Sequence, residues 1–383
     1  IAAKEFMQAD NPMVLWLVPS TAILDQTLSA LRNPEHPYRA ALTAEFGRNL
    51  SVLTVAEALA LSRPDATGGA CIIVATLQAF RAEDTAGRKV YQDAGALMDH
   101  FSGLRPEDVA RLEAVEGNAR PVASLCNVLR LHRPMVIVDE AHNARTVLSF
   151  ETLSRFAPSL ILELTATPQL ERDVAKDIHP SNVLFHVSAA ELKAEEMIKL
   201  PIRLNTDADW QKTVGQALDC QAELERAAEA EQAETGEYIR PIVLFHAQAR
   251  SKTDPDRLTP ERVVQFLVDD RRIPRTQIAI HATGHAELDN IADIASPDCP
   301  VRYIVTVQKL REGWDCPFAY VLCSVAELSS PTAVEQLLGR VMRMPKARRK
   351  SRDVLNRAYA FVASRDFQVV AGRLRDGLVN GAG

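Results

Sequence analysis

The chain has no paired cysteines, no membrane-length apolar run, no excess of positive charge and no glycine-rich phosphate loop. Its six cysteines (Cys71, Cys126, Cys220, Cys299, Cys316, Cys323) are scattered without a C-x-x-C pair. That scatter argues against a zinc site or a disulfide framework and fits a reducing cytosol, with the thiols as packing residues. No apolar run reaches the roughly 18 residues of a membrane span, and no charged segment followed by a hydrophobic core opens the chain. A soluble, cytoplasmic protein with no membrane partner is expected. The formal charge of -6 excludes a generally basic coat, so any contact with nucleic acid has to be a local groove. No G-x-x-x-x-G-K-[ST] occurs in the sequence.

What is present is a repeating pattern on a chain long enough for two domains, 383 residues with 47% hydrophobic content. Short apolar runs, Met13 to Val18, Cys71 to Ala75, Met135 to Val138 and Ser159 to Leu164, have the length and β-branched content of buried strands. A second set follows at Pro241 to Phe245, Gln277 to His281, Tyr303 to Val307 and Tyr320 to Cys323. Helical patterns such as Pro260 to Asp269 separate them, which predicts parallel α/β sheets. The expected domains are 1–200 and 201–383, with the boundary between about 190 and 215 and an insertion over about 81–133 that contains a helical-looking Arg105 to Val115. Val214 to Thr235, rich in Ala, Glu and Leu, reads as a long solvated helix without chemistry.

Chemistry concentrates in two stretches. Met135 to Asn143, MVIVDEAHN, is an apolar run that ends in two acids and a histidine, so Asp139 and Glu140 fall at the carboxyl end of a strand. Ligands of open α/β sheets bind there. Adjacent carboxylates at that place suit a phosphate and metal site, with Asp139 holding Mg²⁺ through water and Glu140 orienting and deprotonating an attacking water. The plain alternative is a strand that ends in a solvated turn. In QLLGRVMR, Gln336, Arg340 and Arg343 lie close to one helix face, with Leu337, Leu338 and Val341 left to pack. Paired guanidinium groups so placed match the oxygens of a γ-phosphate; taken alone, the stretch is more often a surface basic helix. His281 and His285 have i, i+4 spacing, but Thr283-Gly284 between them argues against the helix that a metal pair needs. The basic run Lys346 to Arg352 reads either as a solvated stretch or as part of a DNA path.

DEAH at 139–142, TATP at 165–168 and Q-x-x-G-R-x-x-R at 336–343 resemble motifs II, III and VI of superfamily 2 helicases. The phrases VDEAHNA, LELTATP, LREGWDCPFAY and QLLGRVMRMP are similar, more narrowly, to the ATPase-translocase part of the restriction subunit of type III restriction enzymes. The resemblance implies two RecA-like domains that close on ATP and Mg²⁺ and move on double-stranded DNA beside a methyltransferase (modification) subunit that reads the bases. It implies nucleotide contacts from Asp139, His142, Gly313, Asp315 and Gln336, and catalysis by Asp139, Glu140, Arg340 and Arg343. Nucleic-acid contacts fall on Pro19, Ser20, Thr21, Thr76, Gln78, Lys309 and Arg311. Thr165 and Thr167 would couple hydrolysis to domain movement.

Two features depart from that pattern. Many superfamily members carry Arg directly before the motif V glycine and Thr six positions before it, where this chain has Glu312 and Val307. The phosphate loop of the superfamily precedes a helix like the one that IAAKEFMQ would end, so it is expected upstream of Ile1, and the nuclease domain of such subunits lies further along than Gly383. The residues given are therefore expected neither to hydrolyse ATP efficiently nor to cleave DNA by themselves. Two other functions share the motifs or most of them: another superfamily 2 helicase acting on DNA or RNA, and a non-hydrolysing nucleic-acid clamp.

Overall fold

The computed structural model describes residues 11–80, 89–141, 147–165, 168, 170–172, 180–251, 253–254, 256–282, 285–291, 293–307, 316–326 and 331–363, with the backbone alone at 147–150, 289 and 331–336. The chain divides into two compact units, Ile1–Leu184 and Phe185–Gly383.

The first unit is built on a five-stranded, all-parallel sheet: β1 (Met13–Val18), β2 (Leu50–Leu53), β3 (Ala70–Thr76), β4 (Met135–Asp139) and β5 (Leu160–Leu164), in the order β2-β3-β1-β4-β5. Alternate residues of each strand serve opposite faces, so the sheet carries two cores. Leu15, Leu17, Ile73, Val136 and Val138 face one. Val14, Val18, Ile72, Val74 and Met135 face the other, where α1 (Thr21–Arg32) contributes Leu28 and Leu31 and α2 (Pro37–Phe46) contributes Leu42 and Phe46. Covering both faces is what a parallel sheet requires, and it explains the unbroken apolar runs in the sequence. At the edge strand β5 the cover thins, leaving Ile161 and Leu164 38% and 43% exposed.

Between β3 and β4, α3 (Leu125–His132) is capped by the Ser124 hydroxyl, which accepts the Asn127 N–H, and packs on the first core through Leu125, Val128 and Leu129. The expected helix over Arg105 to Val115 is confined to the single turn Pro106–Val109. From Glu113 the chain instead folds back on itself: Val115 N–H donates to Arg120 O, Val122 N–H to Glu113 O, and Ala114 bridges Pro121. Gly117, at φ 72°, makes that reversal without a Cβ penalty, and the Asn127 side chain bonds both backbone groups of Glu113. A further helix, α4 (Val147–Arg155), precedes β5.

The second unit carries a seven-stranded sheet, parallel except at one end. Its strands are β6 (Ile202–Thr206), β7 (Ile242–His246), β8 (Ile278–Ala282), β9 (His285–Ala286), β10 (Tyr303–Thr306), β11 (Ala319–Ser324) and β12 (Ala358–Val362), in the order β6-β12-β11-β7-β10-β8-β9. Two long helices pack against this sheet. The first, α5 (Trp210–Thr235), begins where the Asp209 carboxylate accepts the N–H groups of Gln211 and Lys212, and stops at Gly236 in the left-handed region. Val214, Ala217, Leu224 and Ala228 form its buried stripe. The second is α6 (Pro331–Met342), whose Leu337, Leu338 and Val341 are buried as the sequence pattern required.

Residues 185–200 group with this second unit. Met197 to Lys199 pair with the chain that leaves α6: Lys199 N–H donates to Met342 O at 2.6 Å and Met344 N–H to Met197 O at 2.9 Å. The Lys199 side chain, fully buried, donates to Pro317 O and Ala319 O at 3.0 and 2.7 Å and lies 3.7 Å over the Tyr320 ring. Burial holds its pKa well below the usual lysine value, and two carbonyls with an aromatic face take the place of a carboxylate partner.

Candidate functional site

Strand order fixes where a ligand can enter the first sheet. From β1 the chain crosses one way, over β3 to β2; from β4 it crosses the other way, to β5. The carboxyl ends of β1 and β4, which are neighbours, therefore open a crevice between connections that diverge, the place where open α/β sheets bind ligands. The register brings the sequence-predicted residues level with that crevice. Val18 pairs with Thr76, Leu17 with Val138, and Asp139 with Leu164. The residues that follow, Pro19-Ser20-Thr21, Gln78, Glu140 and Thr165, thus leave the same edge of one sheet.

Asp139 is the last residue of β4, half-buried, and its Oδ1 accepts the Glu140 N–H at 3.0 Å. Burial pushes its carboxyl up from the ordinary aspartate value, against the pull of that hydrogen bond. A cation nearby reverses such a shift, so a desolvated carboxylate held by one backbone bond fits a metal-binding role. Among the described residues no group of three or more His, Cys, Asp or Glu is placed to hold a metal ion.

Glu140 takes a φ of 50°, in the left-handed region that a glutamate seldom occupies, at a cost of roughly 1–3 kcal/mol. The turn buries the next residue, Ala141, completely. Ser20 stands at the N-cap position of α1 but makes no capping bond, and its hydroxyl is buried without a hydrogen-bond partner. The geometry leaves the first-turn N–H groups of a 12-residue helix uncapped by that side chain, the arrangement that receives a phosphate.

In the second unit Arg340 lies half-buried near the end of α6. Arg343 is exposed and has left the helix, its backbone held in an antiparallel bridge with Ile198. Gln336 is within α6, with its side chain outside the described residues. His142, Thr167, Lys309, Arg311, Gly313 and Asp315 also lie outside them. His281 and His285 sit on two paired antiparallel strands rather than on a helix.

The second sheet has its own crevice, between β7, whose connection runs toward β8, and β11, whose connection runs to β12. Two buried polar residues that sequence reasoning passed over meet there. His246 Nδ1 is 3.0 Å from Ser324 Oγ, and the Ser324 hydroxyl bonds Ala326 O at 2.9 Å. Burial pushes the His246 ring down from its ordinary value, partly offset by a bond to the Val307 backbone. Apolar strands that each end in one polar residue (IVLFH, AYVLCS, YIVT) carried the signal.

The basic run at 346–352 is largely spent on acids. Arg348 and Lys350 reach the Glu237 carboxylate at 2.9 and 2.6 Å, Arg352 reaches Glu234 at 3.1 Å, and Glu231 accepts the N–H groups of Ser351 and Arg352. Burial works to raise the Glu237 carboxyl, and the bonds from Lys350 and Arg348 override it and hold it below the usual range. The stretch docks the chain onto the end of α5 instead of offering a continuous basic track.

Two α/β units, one on an all-parallel sheet with acids and an uncapped helix end at its switch point, the other on a sheet parallel except at one end, define the fold class. Residues 1–170 match the family described as type III restriction enzyme, res subunit. No curated protein matches the chain significantly. Among solved structures, a fragment assigned as the HsdR subunit of a type I restriction enzyme from Vibrio vulnificus is 13% identical with a TM-score of 0.40, over 95% of this chain and 62% of that one. The Mycobacterium smegmatis helicase Lhr, bound to ssDNA and AMP-PNP, is 15% identical with a TM-score of 0.48, over 97% of this chain and 42% of that one. The chain thus spans less than two thirds of the length of either. No helix of the described residues is long and apolar enough to cross a membrane.

Proposed function

We propose that the chain is the ATP-dependent DNA-translocating motor of a type III restriction enzyme, working in the cytoplasm with a methyltransferase subunit. The observation that carries this reading is the shared register of Thr76, Val18, Asp139 and Leu164 at the switch point of a sheet within the family-matched residues. Mg²⁺ bound with the nucleotide supplies charge neutralisation on the β- and γ-oxygens. Asp139 would hold that ion. Glu140 orients the attacking water and takes its proton, and the φ of 50° aims its backbone out of the strand direction to do so. Arg340 and Arg343 compensate the charge that spreads over the transferring phosphoryl group; Gln336, His142, Gly313 and Asp315 contact the nucleotide.

Double-stranded DNA would run past Pro19, Ser20, Thr21, Thr76 and Gln78, with Lys309 and Arg311 from the second unit, and Thr165 and Thr167 would pass the state of the nucleotide to that surface. The test is stimulation of ATP turnover in the full-length protein by duplex DNA against duplex or single-stranded RNA. Stimulation by DNA is expected. Stimulation by RNA alone would replace this reading with another superfamily 2 helicase, and binding without turnover would replace it with a clamp.

A further inference from the structure

A second site lies in the first unit, at the opposite end of β4 from the acids. A cavity of about 460 Å³ opens between the 108–112 turn, the end of α3 and the Ala157-Pro158 turn that precedes β5. Arg133, on its wall, is six residues ahead of Asp139, so the two sites are about 15–20 Å apart along the strand.

Three arginines line this cavity, Arg111, Arg130 and Arg133. Arg130 is fixed by two backbone carbonyls: Nε donates to Arg111 O at 2.9 Å and Nη1 to Arg155 O at 2.8 Å. Its charge is therefore positioned but not neutralised, and Nη2 keeps its donors. Arg111 and Arg133 are exposed and have no carboxylate partner among the described residues. Elsewhere in the unit, Arg32, Arg120 and Arg155 are each paired with an acid, and Arg39 and Arg63 bond backbone carbonyls. The one carboxylate on the cavity wall, Asp108, is already bonded to Arg105 at 3.0 Å. The C-terminus of α3 adds a partial negative charge, which Arg130 and Arg133 together outweigh. In a protein of formal charge -6, three arginines without a carboxylate partner thus line one concave surface. The floor, Leu112, Leu131 and Pro158, is apolar and suits a sugar or base more than a bare ion.

We propose that this cavity binds a phosphate ester, its anionic oxygens held by Arg111, Arg130 and Arg133 and its organic part resting on Leu112, Leu131 and Pro158. Planar guanidinium groups make paired hydrogen bonds to such oxygens. The ester is supplied either by the backbone of a nucleic acid or by a free nucleotide. The proposal does not depend on the motor reading, because it is tested by binding without turnover.

The experiment compares the full-length protein with the Arg111→Gln/Arg133→Asn double variant; Asn at 133 keeps the φ of 47° accessible. Binding of a labelled 20-base-pair duplex is measured across salt concentrations, and AMP is titrated separately. A salt slope shallower by about 2, with affinity weakened alike for any sequence, identifies a nucleic-acid backbone as the source. An AMP affinity at least tenfold weaker with an unchanged DNA slope identifies a free nucleotide. A folded variant with both unchanged overturns the proposal. The Arg111→Lys/Arg133→Lys variant, which keeps the charge, should restore most of the salt slope; failure to restore it in a folded protein also counts against an ionic site.

Discussion

Asp139 and Glu140 differ by one position and do opposite things with the backbone: one ends a strand with a desolvated carboxylate, the other turns into left-handed space. That division suits a metal holder beside a base. Arg343→Ala is predicted to lower ATP turnover by ~10³ to 10⁵ while nucleotide binding persists, checked by single-turnover hydrolysis and by equilibrium binding. His132 gives a test of stability. Burial, with the nearby His100 and Arg63, pushes its ring down from the ordinary 6.5 to about 4. Between those values the unfolded chain takes up a proton that the folded chain refuses. Stability from this group is whole above about pH 6.5 and is lost as pH falls toward 4, by on the order of 3 kcal/mol. Urea unfolding at pH 7 and 4.5 should show that loss, and His132→Phe should reduce it; an identical pH dependence in the variant contradicts the assignment. The acids were legible in the sequence because the end of an apolar run is a local signal. The His246–Ser324 pair was not, since 78 residues separate partners that only strand order brings together.

Elements were legible where a run of four to six hydrophobes stood alone, as in MVLWLV and IVLFH. β2 (LSVL) and β12 (AYAFV) carried no comparable warning, the first being short and broken by a serine, the second following a basic run whose role depends on α5. That dependence is testable. Glu237 and Lys350 are both buried and 2.6 Å apart, so Glu237→Ala leaves an ammonium without its partner and should cost roughly 3–5 kcal/mol. Replacing both by apolar residues of similar size should recover much of the loss. At Gly236, φ 76°, an added Cβ meets nothing within 4 Å, so Gly236→Ala should cost only the backbone penalty, about 1 kcal/mol in the unfolding of the second unit. A larger loss would mean that packing, not conformation, holds that glycine.

For the whole molecule, composition set the limits and topology set the site. A charge of -6 required any nucleic-acid contact to be local, and the 346–352 run, which the sequence alone allowed as a DNA path, is engaged with Glu231, Glu234 and Glu237. Strand order has no signature in a single sequence, so the crevice between β1 and β4 became visible only in the fold. The measurement that bears most directly on the motor is ATP turnover by the full-length protein, with and without duplex DNA, beside Glu140→Gln. DNA-stimulated turnover that disappears in the variant while ATP still binds is the predicted result. Turnover that survives in Glu140→Gln, or no turnover in the unaltered protein, would contradict the assignment of Glu140 as the base.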